Sequence, residues 1–306
     1  MNNLTKVMAA PHIHSGKSTA GIMRDVIIAL LPTTVVGVLR FGLPALWVVA
    51  LCVICCVGFE AIFNLITKKD QTIGDLSAAV TGLLLALNLP ANIPLWQCAV
   101  GSLFAIIVVK CLFGGIGNNL VNPAITARVF MLVAFGSMAQ AAIPFDAVAG
   151  ATPLAAEELP SLMDLFLGKH GGSIGETCAA ALLVGGIYLI AKRVITWHIP
   201  ALYIGTVFVF SFIAEGFDAT AALGLILSGG LFIGAFFMAT DYVTSPFTAW
   251  GKVIFAVGAG LITCMIRYFG VYPEGVSFAI LFMNILNPYI NRLTKHKIFA
   301  SGGKNA

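Results

Sequence analysis

Charged residues are what this sequence has least of. Only 10% of its 306 residues are Asp, Glu, Lys or Arg, whereas 59% are hydrophobic. A soluble globular domain carries about 25% charged residues, so the composition excludes an ordinary soluble enzyme. We therefore expect a membrane protein and no nucleic-acid partner.

A disulfide framework and a self-contained metal centre are also missing. The seven cysteines are an odd number, and most of them lie in or beside apolar runs, where cysteine is a small hydrophobic residue. Cys52-Val53-Ile54-Cys55 has CxxC spacing, but an iron-sulfur cluster normally needs four thiolates, and no second such pair exists in the chain. We predict no metal site within the chain. A cluster shared with another subunit is the one alternative that remains.

Catalytic motifs are absent as well. Gly16-Lys17-Ser18 looks like the end of a phosphate-binding loop, but the first glycine of that motif falls at Pro11. The sequence contains neither a Ser/His/Asp arrangement nor histidines at zinc-binding spacing. We predict no catalytic residues. The first apolar run follows Met23 and continues into further runs without a signal-peptide cleavage site, so the N-terminus is expected to be retained.

Long apolar runs are what the sequence has instead. A helix needs about 20 mostly apolar residues to cross a bilayer. Ten runs of about this length can be placed at 22–40, 42–66, 73–90, 94–113, 121–142, 174–191, 198–214, 219–239, 249–269 and 275–291. The predicted fold is an all-α, polytopic transmembrane protein with about ten spans.

The distribution of Lys and Arg gives this fold an orientation. Cytoplasmic loops carry an excess of both residues. If the N-terminus is cytoplasmic, Arg40, Lys169 and Arg267 are the only Lys or Arg residues in the loops or at the ends of the spans that lie on the extracytoplasmic side. The prediction is a multi-pass protein of the bacterial cytoplasmic membrane with both termini cytoplasmic. Its parts are a cytoplasmic segment 1–21, a membrane half 22–142, an extracytoplasmic loop 143–173, a second membrane half 174–291 and a cytoplasmic tail 292–306.

A candidate internal repeat links the two halves. Residues 74–79 resemble residues 175–180, and Trp96 and Trp197 follow at the same distance. The first pair of segments runs in opposite directions in the predicted topology. A second pair, around Asn122-Pro123-Ala124 and Ser245-Pro246-Phe247, runs in the same direction, so an inverted repeat of the transporter type is not established.

Polar residues at the borders of the spans are candidates for a site. The Gly and Asn residues at 114–122 predict either a broken helix that lines a cofactor or ion site, or a plain cytoplasmic turn. In the first case Thr240, Asp241, Thr244 and Ser245 would form a second polar wall. Ionisable residues are rare in spans and often functional, and Asp75, Glu176 and Asp241 are the candidates for ion coupling.

The loop 143–173 contains a short motif that runs from Asp146 through Gly150, Ala151, Thr152 and Pro153 to Leu154. Gly150 and Ala151 leave the backbone accessible, and Pro153 disfavours helix at Thr152. An anionic phosphodiester is costly inside a bilayer, so a loop is the expected place for one. On these nine residues alone, a plain Ala/Gly/Pro loop is the alternative.

This motif resembles the flavinylation motif in the D-type subunit of Rnf-type electron transport complexes and in the B-type subunit of the sodium-pumping NADH:quinone reductase. The resemblance extends nearly end to end. It includes residues 11–13, 77–90, 113–124, 234–241 and 273–281. Ala149 stands where these families often have serine, and the chain lacks the longer N-terminal extension of the reductase protein. The D-type subunit of Rnf complexes is therefore the closer match.

The resemblance implies an electron-carrying subunit of a redox-driven ion pump, and not a stand-alone catalyst. It implies FMN bound to Thr152 through a phosphoester, with Asp146, Gly150 and Ala151 as the context of the motif, and ferredoxin/NAD-linked electron transport coupled to sodium or proton movement. The implied partners are a second covalent-flavin subunit, iron-sulfur subunits and a flavin transferase. Whether a second, noncovalent flavin is bound stays open. The alternatives are a solute channel or permease and a structural membrane anchor, neither of which would carry flavin.

Overall fold

The computed structural model describes residues 18–135, 161–270 and 274–295, which form helices joined by turns. The helices are α1 Thr19–Phe41, α2 Leu43–Ile66, α3 Ser77–Leu87, α4 Leu95–Leu103, α5 Pro123–Ala134, α6 Leu162–Leu167, α7 Ala179–Ala191, α8 His198–Ala214, α9 Ala219–Leu227, α10 Leu231–Ile233, α11 Ala249–Phe269 and α12 Val276–Thr294. Helix α4 continues as the π-helix Phe104–Cys111, and α10 as the π-helix Gly234–Met238. The predicted all-α polytopic class is confirmed.

Each of the ten predicted spans overlaps with at least one of these helices, but the helices differ in length. Within the described residues, α1, α2 and α11 are long and apolar enough to cross a membrane alone. A fourth candidate is the pair α9 and Leu231–Met238, which is bent by 67° at a short break. The helices α3, α4 with its π extension, α5, α7 and α8 are apolar but have only 10–17 residues. Several of the predicted spans are therefore partly non-helical.

The α1–α2 hairpin follows from local sequence signals. Ser18 caps α1 by accepting a hydrogen bond from the Gly21 backbone N–H at 3.1 Å. Gly42 separates the two helices with a φ of 70°, a conformation that glycine adopts at little cost. Pro44 follows in the first turn of α2, where its missing N–H costs nothing.

Small residues allow the helices to pack closely. Helix α1 packs against α7, α2 packs against α3 and α4, and α11 packs against α8 and α12. A Cβ atom on Gly82 of α3 would lie 2.7 Å from the carbonyl oxygen of Cys52 in α2, and one on Gly185 of α7 would lie 2.1 Å from that of Ala29 in α1. Close approach of this kind is the usual way in which membrane helices associate.

Two breaks in helical structure lie in the interior. Helix α3 ends at Leu87, and the backbone N–H groups of Ile174 and Gly175 donate to the carbonyls of Leu89 and Leu87 at 3.0 and 2.7 Å. The segment before α7 thus satisfies carbonyls that the end of α3 leaves free. The second break, between α9 and α10, contains Ser228, which is fully buried. Non-helical backbone at membrane depth is tolerated where protein surrounds it in this way.

The two copies of the candidate repeat share local structure. Residues 74–79 lead into α3, and residues 175–180 lead into α7. Trp96 lies in the first turn of α4, and Trp197 directly precedes α8, each about 60% exposed (59% and 58%). Exposed tryptophans at helix starts are typical of membrane interfaces.

Candidate functional site

The motif predicted to carry flavin lies outside the described residues. This applies to Asp146, Gly150, Ala151 and Thr152. Only the last part of the predicted loop 143–173 is described, and it contains α6, which Ser161 caps by accepting a hydrogen bond from the Asp164 backbone N–H at 3.2 Å. Because α6 packs against α7 and α9, the C-terminal end of this loop is anchored where α7 begins.

A cavity of about 380 Å³ opens between α1, α3, the start of α5 and the segment after α10. Most of its wall is apolar, with a small number of polar groups, as is usual for small-molecule sites. Asn119, Asn122, Thr240 and Asp241 are among the polar residues that line it. The side-chain oxygen of Asn119 is buried and has no hydrogen-bond partner in the described structure, so it is available to a ligand.

The two polar segments predicted from sequence therefore meet. Residues 112–122 form turns between the π-helix and α5, as the turn alternative states, and Ile116, Gly117, Asn119 and Asn122 of this segment also line the cavity. Asn122 joins the two walls, because its Oδ1 caps α5 at Ala124 and its Nδ2 donates to the Met238 carbonyl at 3.5 Å. Thr244 and Ser245 of the second wall are buried but do not line the cavity.

Asp241 is the acidic group of this cavity. Its Oδ2 accepts a hydrogen bond from the Thr244 hydroxyl at 3.1 Å. Burial raises the pKa of Asp241, and the hydrogen bonds from Thr244 and from the backbone N–H groups of Val243 and Tyr242 oppose this effect. A carboxyl group whose pKa is raised is a functional-site candidate.

A buried ion pair borders the same cavity. Lys110 Nζ donates to Glu60 Oε1 at 2.7 Å and to Ser77 Oγ at 2.6 Å, and Lys110 and Ser77 also line the cavity. The Ser77 hydroxyl donates to Asp75 Oδ1 at 2.5 Å, so hydrogen bonds connect Asp75 to Lys110. Asp75 also accepts from the Ser77 backbone N–H at 2.8 Å, which stabilises the start of α3.

Lys110 was missed by sequence reasoning, which treated it as part of an apolar run. The available signal was a single lysine inside a predicted span, because such a residue normally faces the protein interior and pairs with an acid on a neighbouring span. Glu60 in α2 was the matching acid, and its Oε1 accepts a further hydrogen bond from Thr72 at 2.8 Å.

Glu176 lies in a second buried network, centred on Arg128 of α5. Arg128 Nη2 donates to Glu176 Oε1 at 2.7 Å and also contacts Glu274 Oε2. Its Nη1 donates to Asn88 Oδ1, at the end of α3, at 2.6 Å. One guanidinium group thus joins the end of α3, the segment before α7 and the residue that shortly precedes α12.

Arg267 of α11 stabilises the nearby break in α9. Its Nη1 and Nη2 donate to the carbonyls of Leu225 and Ser228 at 2.8 and 3.2 Å. These carbonyls belong to the last turn of α9 and its end, where no further helical turn supplies a donor.

The predicted ion-coupling residues lie in two separate places. Asp75 and Asp241 lie near the cavity, whereas Glu176 lies in the Arg128 network.

Within residues 18–135, 161–270 and 274–295, no group of three or more His, Cys, Asp or Glu side chains is arranged to hold a metal ion. This statement covers Cys52, Cys55 and Cys56, which are free thiols.

Apolar helices, buried ion pairs between them and broken helix ends define a polytopic helical membrane protein with an interior polar site. The chain belongs to the NQR2, RnfD, RnfE family, whose sequence model matches residues 6–300.

Curated relatives agree with this assignment. The chain is 50% identical to the D-type subunit of the Na(+)-translocating ferredoxin:NAD(+) oxidoreductase complex of Acetobacterium woodii, over 97% of this chain and 95% of the relative. It is 40% identical to the D-type subunit of the proton-translocating ferredoxin:NAD(+) oxidoreductase complex of Clostridium ljungdahlii, over 96% and 95%. It is 38% identical to the D-type subunit of the ion-translocating oxidoreductase complex of Stutzerimonas stutzeri, over 93% and 92%. The predicted resemblance is confirmed.

Proposed function

We propose that this chain is the D-type membrane subunit of an ion-translocating ferredoxin:NAD+ oxidoreductase complex and that it relays electrons through FMN bound covalently to Thr152. The observation that carries the proposal is the 50% identity, along almost the whole of both chains, to a relative with that name. The motif from Asp146 to Leu154 supports the flavin, because its sequence supplies a threonine hydroxyl directly after Gly150 and Ala151.

The flavin supplies the redox chemistry in this proposal, and the protein fixes its position and potential. The proposed partners are a second subunit with covalent flavin, iron-sulfur subunits and, during maturation, a flavin transferase. The proposed location is the cytoplasmic membrane of a bacterium, with the flavin loop on the outer side. The coupling ion is sodium or a proton, since relatives with either ion in their names align over nearly the whole chain.

The neighbouring hydroxyls in the described part of the loop support Thr152 as the acceptor. The Ser161 hydroxyl caps α6 and donates to Asp164 Oδ2 at 2.7 Å, so it is engaged in local structure. Ser173 is buried beside Glu176, where a transferase would have poor access.

A denaturing gel viewed under ultraviolet light tests the attachment, because only a covalent flavin survives denaturation. Protein made together with the flavin transferase should fluoresce, and the peptide that contains Thr152 should carry the mass of FMN less one water. Thr152→Ala should abolish both signals while membrane insertion stays normal, and Thr152→Ser should retain some attachment. Ser161→Ala is the matched control and should fluoresce like the wild type.

Full fluorescence in Thr152→Ala would assign the flavin to another residue. A wild-type protein without fluorescence, despite an active transferase, would favour the channel or permease and the structural anchor. The coupling ion is tested separately in inverted membrane vesicles, where ferredoxin oxidation by NAD+ should drive either sodium uptake or acidification.

We propose the cavity beside Asp241 as the place of a second, noncovalent flavin. Its mostly apolar wall suits a flat ring, and Asn119, Asn122 and Asp241 could hydrogen-bond to ring heteroatoms. Acid extraction of Thr152→Ala protein, which carries no covalent flavin in this proposal, should then release flavin. Asp241→Leu should reduce the amount released.

A further inference from the structure

The second buried network, centred on Arg128, has no role in the proposed electron transfer. Glu176 is buried, with a side chain only 2% exposed, whereas the Glu274 side chain is 22% exposed and therefore reaches solvent. Both carboxyl groups converge on the same nitrogen, Arg128 Nη2. Because an oxygen of each carboxyl group contacts this one nitrogen, the two carboxyl groups lie next to each other.

This arrangement has a consequence for protons. Two neighbouring carboxyl groups can share one proton, because the protonated group can donate its O–H to an oxygen of the ionised group. Two like charges in one partly desolvated site do not both ionise readily, and the pair titrates as a unit. We propose that Glu274 and Glu176 together bind one exchangeable proton, which makes this carboxyl pair a proton-binding site where α7 and α12 begin.

The charged groups around the pair fit a proton better than a metal cation. Arg128 occupies the position between the carboxylates where a metal ion would lie. Arg267 adds a second positive charge that acts on both carboxyl groups, and it is itself bound to the carbonyls of Leu225 and Ser228. A sodium ion would have to displace a guanidinium group that also bonds to Asn88.

The protonation states of the neighbours agree with this assignment. Burial, together with the charge of Glu176, raises the pKa of Glu274 to about 8, and Arg128 and Arg267 oppose the shift. His170, which faces Glu176 from the segment before α7, has its pKa lowered by burial and is neutral at pH 7. It therefore adds no positive charge that would ionise the pair.

The step itself is a simple proton transfer. A hydronium ion at the exposed edge of Glu274 gives a proton to a carboxylate oxygen and becomes water, so one O–H bond breaks, another forms, and no electrons move. The proton removes a negative charge that binds Arg128 near the start of α12. Proton uptake is thus coupled to how firmly Arg128 holds the start of α12 to the C-terminal end of α3 and to the segment before α7.

Infrared difference spectroscopy of the full-length protein in lipid nanodiscs tests the site. The chain has only six glutamates, so 13C labelling of glutamate identifies the carbonyl stretch of a protonated Glu side chain. In the wild type this band should be present at pH 7 and disappear on titration to pH 9.5. A labelled wild type without a protonated glutamate at pH 7 would overturn the proposal without any variant.

Two variants and a control assign the band. Glu274→Gln should abolish the titrating band. Glu176→Gln should move its midpoint to lower pH by about 1–3 units, because the neighbouring negative charge is gone while Arg128 remains. Glu215→Gln, which alters an acid bound to the Tyr268 hydroxyl instead, should leave the band unchanged.

A band that persists in Glu274→Gln, or a midpoint that Glu176→Gln does not move, would contradict the assignment. Repeating the titration with potassium in place of sodium should give the same midpoint, and a sodium-dependent midpoint would mean a metal cation competes for the site. None of these readouts involves electron transfer or flavin, so the result is independent of the test at Thr152.

Discussion

Lys110 Nζ lies 2.7 Å from Glu60 Oε1, and both side chains are buried between the π-helix after α4 and α2. A charge inside a bilayer is costly, and the contact between the two opposite charges offsets part of that cost. Lys110 also bonds to Ser77 at the edge of the cavity, which links the ion pair to the start of α3.

We predict that breaking this pair destabilises the protein. Lys110→Met leaves Glu60 buried without its cation, and loss of one partner of a buried pair costs about 3–5 kcal/mol. Thermal unfolding in nanodiscs should show a clearly lower midpoint for Lys110→Met and for Glu60→Leu. The double variant should recover much of the loss, because apolar replacement of a whole buried pair is often neutral. Additive losses in the double variant would show that the two residues do not act as a pair.

The predicted orientation can be tested by labelling. In a background without accessible native thiols, a cysteine introduced at Ala155 should react in intact cells with a reagent that cannot cross membranes, whereas one at Lys69 should not. Lys69 lies in the exposed turn between α2 and α3. The reverse labelling pattern would invert the topology and place the flavin loop on the cytoplasmic side.

Asp75 and Glu176 stay predicted ion-coupling residues, and their different hydrogen-bond partners allow a test with a double variant. We expect Asp75→Asn or Glu176→Gln to impair ion-coupled electron transfer while covalent flavin content stays normal. Asp75 acts through Ser77 and Lys110, whereas Glu176 acts through Arg128, so a double variant should be impaired more than either single variant. Wild-type coupling in both single variants would leave these residues with a structural role only.

Stability should depend on pH through Glu274. Its pKa of about 8 in the folded protein exceeds the ordinary value of about 4.3, so the folded state binds more protons between these values. The free energy of unfolding should therefore fall as pH rises from 7 to 8, by at most about 1.4 kcal/mol per pH unit, and by less because solvent screens the partly exposed side chain. His170 does not account for this fall, because its pKa is lowered and its titration therefore lies below this pH range.

Thermal unfolding at closely spaced pH values gives the slope. Glu274→Gln should remove most of it, and Glu215→Gln should not. An equally steep decline in Glu274→Gln would assign the pH dependence to another group.

Much of the helical framework could be predicted from sequence. Apolar runs of about 20 residues marked every region that contains a spanning helix, because hydrocarbon tolerates almost no other composition. Ser18, Gly42 and Pro44 fixed the ends of α1 and α2 through local capping and turn preferences. What hydropathy did not reveal is that α3 and α9 end inside the bundle, since Leu87 and Leu227 lie within runs that stay apolar beyond the helix ends.

The features of the candidate site also divide into those that the sequence determines and those that the fold determines. The sequence by itself determined which residue types were available: the motif at Thr152, the Asn and Gly turn at 114–122, and the rare acids Asp75, Glu176 and Asp241. Only the tertiary structure decided which of them meet. Asn122 reaches Met238 across 116 positions of the chain, and Arg128 reaches Glu176 and Glu274 across 48 and 146. Hydropathy and capping act over a few neighbouring residues, whereas the partner of a buried charge is set by how the helices pack.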